Sequence, residues 1–129
     1  MSSHESGVNR MADRPLYPAA SRDLAEKRAA LAPQIDTAFK AFSERVFSPG
    51  ALPVKTKQLI ALAVAHVTQC PYCIRGHTKA AFRAQATRQE VMEAIWVAAE
   101  MLAGAAYAHS ALALDVMEQL PRVDSDASA

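Results

Sequence analysis

Apolar residues recur along this chain at helical spacing, and no segment sustains the two-residue alternation that is typical of a β-strand. The spacing predicts an all-α fold of about six helices. Their predicted ranges are 21–32, 33–47, 54–68, 70–84, 88–103 and 105–119. Turn signals separate them, most clearly Ser48-Pro49-Gly50 and Gly104. We expect one helical domain over residues 20–120, a mobile arm over 1–19 and a mobile tail over 121–129.

Two of the predicted helices carry more apolar surface than a chain of this size can bury by itself. The helix over 54–68 is apolar nearly all round after its first turn, which is typical of a helix that is buried on every side. The fifth helix starts at the capping box Thr87-Arg88-Gln89-Glu90 and has two apolar stripes. We therefore expect an oligomer in which helices of different subunits pack together, with the small residues 103–106 allowing close approach. The alternative is a compact monomer with an alanine-rich core.

Composition argues against several classes of partner. The chain carries a net charge of +1, which gives no electrostatic reason to expect nucleic acid or an anionic membrane. Residues 1–13 are polar and contain no apolar signal-peptide core, and no apolar stretch is both long and isolated enough to span a bilayer. We therefore expect a cytoplasmic protein. In that compartment, two cysteines favour redox chemistry or metal binding over a structural disulfide.

The two cysteines stand three residues apart, in Cys70-Pro71-Tyr72-Cys73, and His77 follows one helical turn after the second. Such a pair can form and reopen a disulfide when one sulfur is ionised near neutral pH. Proline suits the first turn of a helix, so Pro71 places Cys70 near the N-cap and Cys73 in the first turn. There the helix dipole favours a thiolate. Cys73 and His77, at i and i+4, share one helix face, and the pattern predicts an activated thiol.

Local geometry alone leaves open which of the two sulfurs ionises first. In thioredoxin-like helices the N-terminal cysteine is the better ionised one because it sits at the cap, which favours Cys70. Against this, a charged His77 one turn from Cys73 can shift the pKa of that thiol by about 1–3 units. The two readings assign opposite roles to the cysteines.

The other histidines of the predicted helices, and a possible metal site, also need an interpretation. His66, four residues before Cys70, is either a second proton carrier or a packed helix-end histidine. Together with His77 and the cysteines it makes a Cys₂His₂ set, but zinc ligands usually converge from separate elements. These four fall within twelve residues of mostly helical chain, so we expect no metal, and no cofactor is indicated. His109 is interpreted as a packed, hydrogen-bonded histidine.

About half of the chain, from Lys55 to Asp115, resembles the alkyl hydroperoxidase D-like branch of the carboxymuconolactone decarboxylase superfamily. The matching segments are Lys55-Thr56-Lys57-Gln58-Leu59-Ile60-Ala61-Leu62-Ala63-Val64-Ala65, Cys70-Pro71-Tyr72-Cys73-Ile74-Arg75-Gly76-His77, Ala86-Thr87-Arg88-Gln89-Glu90, Glu93-Ala94 and Ala108-His109. C-x-x-C-x-x-x-H between this helix and a capping box is far more specific than C-x-x-C alone. Segments 66–69 and 107–110 are similar to peroxidase-like proteins associated with arsenosugar biosynthesis.

The resemblance implies an all-α oligomer, often a trimer or a hexamer, that reduces hydroperoxides through the C-x-x-C pair. It implies that Cys73 attacks the peroxide and becomes a sulfenic acid, while Cys70 supplies a proton and then closes the disulfide. His77 would belong to the proton relay. Family members commonly have a glutamate where this chain has Gln58, so the relay departs from the family's pattern here. His66 is the nearest imidazole in sequence that could replace the missing carboxylate.

We therefore expect a thiol-dependent hydroperoxide reductase or disulfide reductase. Its partners would be a hydroperoxide substrate and an unidentified thiol donor that reopens the disulfide. Decarboxylation of a lactone acid is the superfamily's other chemistry, but that branch looks different at the cysteine pair. A non-catalytic, redox-sensing oligomer is the third hypothesis.

Overall fold

The computed structural model describes residues 15–123, and within that range it confirms an all-α fold, with five helices and no strand. The helices are α1 (Arg22–Leu31), α2 (Pro33–Phe47), α3 (Val54–Thr68), α4 (Pro71–Arg83) and α5 (Arg88–Gln119). Most of the predicted arm over 1–19 and of the predicted tail over 121–129 lies outside the described residues. The parts that are described, 15–19 and 121–123, are not helical.

The predicted break at Gly104 is wrong, because α5 continues without interruption through this position and replaces two predicted helices. A glycine inside a helix costs only about 1 kcal/mol relative to alanine. Its neighbours Ala103, Ala105 and Ala106 are of the strongest helix-forming type, and no proline or capping signal follows at once. Gly104 does not adopt a positive φ, so nothing caps the helix there.

As one uninterrupted helix, α5 is long and apolar enough to cross a membrane by length and composition alone. The sequence analysis expected no apolar stretch of this length, because it divided the segment into two helices at Gly104. The criterion is weak evidence, since core helices of soluble proteins meet it too. In addition, Glu100 lies near the middle of α5, and a charge at the centre of a bilayer costs at least about 2.5 kcal/mol. That the apolar surface of α5 contacts other subunits stays a prediction.

Contacts divide the chain into two units, one up to Val46 and one from Phe47 onwards. In the first unit neither α1 nor α2 has a buried side chain. Helix α2 carries an apolar stripe at helical spacing, made of Ile35, Phe39, Phe42 and Val46. Its aromatic members Phe39 and Phe42 are 65% and 64% exposed. Their rings contact each other, with centroids 6.4 Å apart.

In the second unit α3 packs against both α4 and α5. The core residues at these contacts are Leu62, Ala81, Ala86 and Val91, with Leu59 and Ile95 packed around them. The predicted capping box is confirmed, because Thr87 Oγ1 accepts from the Glu90 N–H at 3.1 Å and Glu90 Oε1 from the Thr87 N–H at 2.9 Å. Lys55 pairs with Glu90 at 2.8 Å, which joins the starts of α3 and α5. The hydrogen bond from Lys55, followed by that from the Thr87 backbone, lowers the pKa of Glu90.

Within a single chain α3 is buried on one side only, and not on every side as predicted. Its buried positions are Gln58, Leu62 and Ala65. On the opposite side, the side chains of Ile60, Val64 and Val67 are 44–52% exposed. The second unit therefore has a small core and retains much uncovered apolar surface.

Candidate redox site

A tight reversal between α3 and α4 carries the cysteine motif. Gln69 is the C-cap of α3, and its φ of 58° and ψ of 44° are left-handed. The N–H groups of Gln69 and Cys70 both donate to the carbonyl of Ala65, which satisfies the end of the helix. Because the reversal takes so few residues, the last turn of α3 leads directly into the first turn of α4. A left-handed conformation costs a non-glycine residue roughly 1–2 kcal/mol. Gln69, which adopts this conformation, lies directly before the cysteine motif.

The predicted positions of the motif on the helix are confirmed. Cys70 is the N-cap of α4 and Pro71 occupies its first turn. The Sγ of Cys70 accepts a hydrogen bond from the backbone N–H of Cys73 at 3.3 Å. Both thiols are free and half-buried, and their sulfurs lie 2.7 Å apart. The two sulfurs are therefore close enough to exchange a proton and to form a bond with each other.

The two thiols differ in acidity. A hydrogen bond from the Cys73 side chain, followed by that from the Cys73 backbone, lowers the pKa of Cys70. The same contact with the Cys70 side chain, followed by burial, raises the pKa of Cys73. The backbone N–H of Cys73, which can only donate, faces the Sγ of Cys70 at 3.3 Å and favours a thiolate there.

His77 is held on two sides by residues far from it in sequence. Its Nδ1 lies 2.8 Å from Oε1 of Gln58 on α3, so Nδ1–H donates to the amide oxygen. Gln58 is the one buried polar residue among those described, at 8% exposure. The ring of Phe47 lies against the imidazole, with centroids 5.1 Å apart and an interplanar angle of 33°. Lys57 holds the turn that follows Phe47, because its Nζ donates to the Ser48 carbonyl at 2.6 Å.

Sequence reasoning did not identify Phe47 as part of the site. Its neighbours in sequence form the α2 stripe, and Phe47 falls just before the Ser48-Pro49-Gly50 break. Nothing in helical periodicity marks the last residue of a helix as a partner for an imidazole thirty positions later. An aromatic residue directly before a helix-ending turn was the only available signal.

The structure does not connect His66 to the cysteine pair. Nδ1–H of His66 donates to the carbonyl of Leu62 in its own helix at 2.8 Å. The imidazole beside Gln58 is instead that of His77. Over residues 15–123 there is no group of three or more His, Cys, Asp or Glu side chains arranged to hold a metal ion. His109, which was predicted to be packed, is exposed on α5.

The sequence matches a protein-family model and is similar to proteins from bacteria. Residues 33–116 match the model of the carboxymuconolactone decarboxylase family. The chain is 60% identical over 103 residues to "Uncharacterized protein 4 in cox locus" of Paracoccus denitrificans, which covers 80% of this chain and 92% of that protein. It is 37% identical over 83 residues to an uncharacterized protein of Cupriavidus necator, covering 63% and 74% of the two chains.

Two crystal structures are similar in fold to part of this chain. One, of a protein from Methanobacterium thermoautotrophicum, has a TM-score of 0.62 and 34% identity, and covers 69% of this chain and 96% of its own. The other is the apo form of a carboxymuconolactone decarboxylase family protein from Legionella pneumophila. Its TM-score is 0.60 at 35% identity, over 75% of this chain and 87% of that one.

Fold and site together define a class of all-α proteins with two free thiols at the start of a helix and an anchored imidazole one turn further along the same helix. The family match extends over more than half of the chain and begins at Pro33, upstream of the segment in which we noted the resemblance. The chain belongs to the carboxymuconolactone decarboxylase family. That family includes enzymes of more than one kind, among them decarboxylases and alkyl hydroperoxidases.

Proposed function

We propose that this protein is a thiol-dependent hydroperoxide reductase or disulfide reductase of the alkyl hydroperoxidase D-like branch of its family. The observation that carries the proposal is the pair of free, half-buried sulfurs of Cys70 and Cys73, 2.7 Å apart at the start of α4. The C-x-x-C-x-x-x-H motif supports the branch. Segments 66–69 and 107–110 support the narrower similarity to arsenosugar-associated peroxidase-like proteins.

The pair supplies two electrons in each turnover. One thiolate attacks an oxygen of the hydroperoxide, the O–O bond breaks, and the departing alkoxide takes a proton to become an alcohol. The sulfenic acid that forms is then attacked by the second sulfur, which displaces hydroxide; with a proton, this leaves as water. Two thiols and one hydroperoxide thus become a disulfide, an alcohol and water, and an external dithiol restores the thiols. This stoichiometry is the same whichever sulfur attacks first.

We assign proton transfer to His77. Because Nδ1–H is donated to Gln58, the lone pair of the neutral imidazole is at Nε2, which can take a proton and return it. His77 follows Cys73 by one turn on the same helix. Gln58 has no titratable group, so its part is to orient the ring. The hydrogen bond of His66 to its own helix supports a packing role for that residue.

The alternatives within the family have less support. A lactone decarboxylase has no use for two sulfurs in contact at the start of a helix, so the pair itself argues against that chemistry. A redox-sensing oligomer would use the same disulfide without multiple turnovers. It differs from an enzyme in kinetics rather than in geometry.

The test is to follow peroxide loss and thiol loss together. Reduced protein is mixed with tert-butyl hydroperoxide, with and without excess dithiothreitol. We expect two thiols lost per peroxide consumed without the reductant, and many turnovers with it. Replacing both cysteines, in Cys70→Ala/Cys73→Ala, should abolish both effects. Ser110→Ala, an exposed hydroxyl of α5, is the matched control and should retain them.

Two results would contradict the enzyme proposal in different ways. Disulfide formation limited to one turnover under excess dithiothreitol would indicate a sensor. Peroxide loss without loss of thiol, or retained in the double variant, would show that the cysteine pair is not the site.

A further inference from the structure

The plane of the His77 ring decides whether the imidazole can keep its hydrogen bond to Gln58. Nδ1 lies 2.8 Å from the Gln58 Oε1, and the N–H bond of an imidazole lies in the plane of the ring. A hydrogen bond weakens steeply when it is bent, so the ring plane must point at that oxygen. The terminal torsion of a histidine side chain is broad, and His77 does not fix this plane by itself. Another residue is needed to hold the ring.

Phe47 is the side chain that lies against the face of this ring. It is the last residue of α2 and is half-buried, and its ring centroid is 5.1 Å from that of His77 with 33° between the planes. Aromatic pairs at such separations favour particular ring arrangements over others. The contact with Phe47 therefore restricts the plane of the imidazole, while Gln58 selects the edge that carries the hydrogen.

Helix α3 in turn holds Phe47 in place. Nζ of Lys57 donates to the carbonyl of Ser48, the residue after Phe47, at 2.6 Å. A Cβ at Gly50 would lie 3.5 Å from the same Nζ, so the ammonium group lies close to the turn that follows α2. Lys57 and Gln58 are consecutive residues of α3. One turn of α3 thus fixes both the residue on the face of the imidazole and the partner at its edge.

We propose that Phe47 is a positioning residue for His77. Held by Lys57, it keeps the imidazole in the plane in which Nδ1–H meets Gln58 and Nε2 is the free base. The inference rests on the proposed function for its effect on catalysis, because only a proton-transferring His77 makes the ring orientation matter to the rate. The orientation itself is measured without any peroxide.

NMR of protein with ¹⁵N-labelled histidines measures this orientation. In the neutral imidazole, the two nitrogen shifts give the ratio of the Nδ1–H form to the Nε2–H form. We expect the Nδ1–H form to predominate at His77, and Phe47→Leu to lower the ratio by about 2–10-fold, the usual worth of an aromatic pair. His66 is the control in the same spectrum, because its Nδ1 bonds to the Leu62 carbonyl and should keep its ratio. An unchanged ratio at His77 would overturn the inference.

Two further variants separate the ring contact from general packing. Phe47→Tyr keeps an aromatic ring and should retain the wild-type ratio at His77. Phe82→Leu removes a phenylalanine of α4 that is 42% exposed, and it should retain the ratio as well. A loss in Phe82→Leu equal to that in Phe47→Leu would mean that any loosening of the fold moves the ring, and the positioning role would be wrong.

Lys57→Met tests the anchor with a substitution that leaves the aromatic ring in place. It keeps the apolar stem and removes the donor to Ser48, so the ratio at His77 should fall in the same direction by a smaller factor. In combination with Phe47→Leu it should add nothing, because Lys57 acts through Phe47. A fully additive loss, or no change in Lys57→Met alone, would contradict the anchoring role.

Turnover of tert-butyl hydroperoxide under excess dithiothreitol connects the ring to the reaction. Phe47→Leu should lower kcat by about 2–10-fold and leave KM near the wild-type value, because a misplaced proton carrier slows the chemical step. Phe47→Tyr should restore kcat. An active wild type with an unchanged kcat in Phe47→Leu would overturn the positioning role. A wild type without peroxidase activity would contradict the proposed function instead, and the NMR ratio would still decide whether Phe47 orients His77.

Discussion

The junction of α3 and α4 differs from the distal half of α5, residues 104–119, in how completely the contacts within one chain pair polar groups and bury apolar side chains. At the junction the polar groups have partners within the same chain, including the Gln58–His77 and Cys70–Cys73 contacts. In the distal half no residue is buried. Its large apolar side chains are 55–84% exposed, namely Tyr107, Leu112, Leu114, Val116 and Met117.

This difference has a simple physical origin. A buried polar atom needs a particular partner at a particular distance and direction, and at the junction one chain supplies such partners. Apolar surface needs only to be removed from water, and any apolar surface can do that, including one on a second copy. The contacts of Gln58 with His77 and of Cys70 with Cys73 lie within one chain, while we predict that the distal half of α5 lies between subunits. Substitutions in the two regions should have separable effects.

The largest effect is expected from His77→Asn. Loss of the imidazole base should lower the rate of peroxide reduction by about 10²–10⁴-fold, the usual contribution of general acid–base catalysis. His109→Asn, in the distal half of α5, should leave the rate unchanged in the same assay. His66→Asn decides between the imidazoles, because an equal loss there would place the relay at His66 instead.

Leu62→Ala should have the largest effect on folding. Leu62 is fully buried, so the free energy of unfolding should fall by about 2–5 kcal/mol in urea titrations. The matched substitution Leu114→Ala removes the same atoms from a side chain that is 55% exposed. In dilute protein it should cost well under half as much. Equal costs at every protein concentration would mean that the distal half is covered within one chain.

Gln58→Glu should shift the pH dependence of the reaction rather than abolish it. A carboxylate 2.8 Å from the imidazole favours its protonated form, so the base form appears only at higher pH. The inflection of the pH–rate profile should move upward by about 1–3 units. Gln34→Glu adds the same charge at an exposed position of α2 and should leave the profile in place. A downward shift would contradict the orienting role of Gln58.

A substitution in the distal half of α5 should weaken the association of subunits. Light scattering after size exclusion should give at least twice the mass of one 13.9 kDa chain. Leu112→Glu places a charge on the exposed face of α5 and should weaken association by about 10–100-fold, or roughly 1.4–2.7 kcal/mol. The rate at which iodoacetamide alkylates Cys70 should be the same as in the wild type. A wild-type monomer at micromolar concentration would refute the predicted interface.

The smallest effect is expected from Gly104→Ala. A Cβ here would lie 3.4 Å from the end of the flexible Glu100 side chain, which can move aside. Replacing a helical glycine should therefore stabilise the chain by about 0.4–1 kcal/mol in thermal unfolding. Destabilisation would indicate that a neighbouring helix of a second copy approaches Gly104 closely.

Features that depend on residues three or four positions apart were determined by the sequence alone. The bounds of α3 at Val54 and Thr68, the capping box at Thr87 and the N-cap position of Cys70 were all predicted correctly. Each relies on a local hydrogen bond or on the conformational preference of proline. The all-α fold follows from the same local information, because helical periodicity is visible without knowing what the helix packs against.

Only the tertiary structure decided how the helices meet and what that does to the site. Gln58 and His77 are nineteen residues apart, and neither their contact nor the cover by Phe47 has a signal in local spacing. At Gly104 the local signal was misleading, because strong helix formers on both sides outweighed one weak residue. Periodicity also shows that a helix face is apolar but not what covers it. Burial and side-chain partners depend on how separate helices pack, whereas caps and periods depend only on neighbours along the chain.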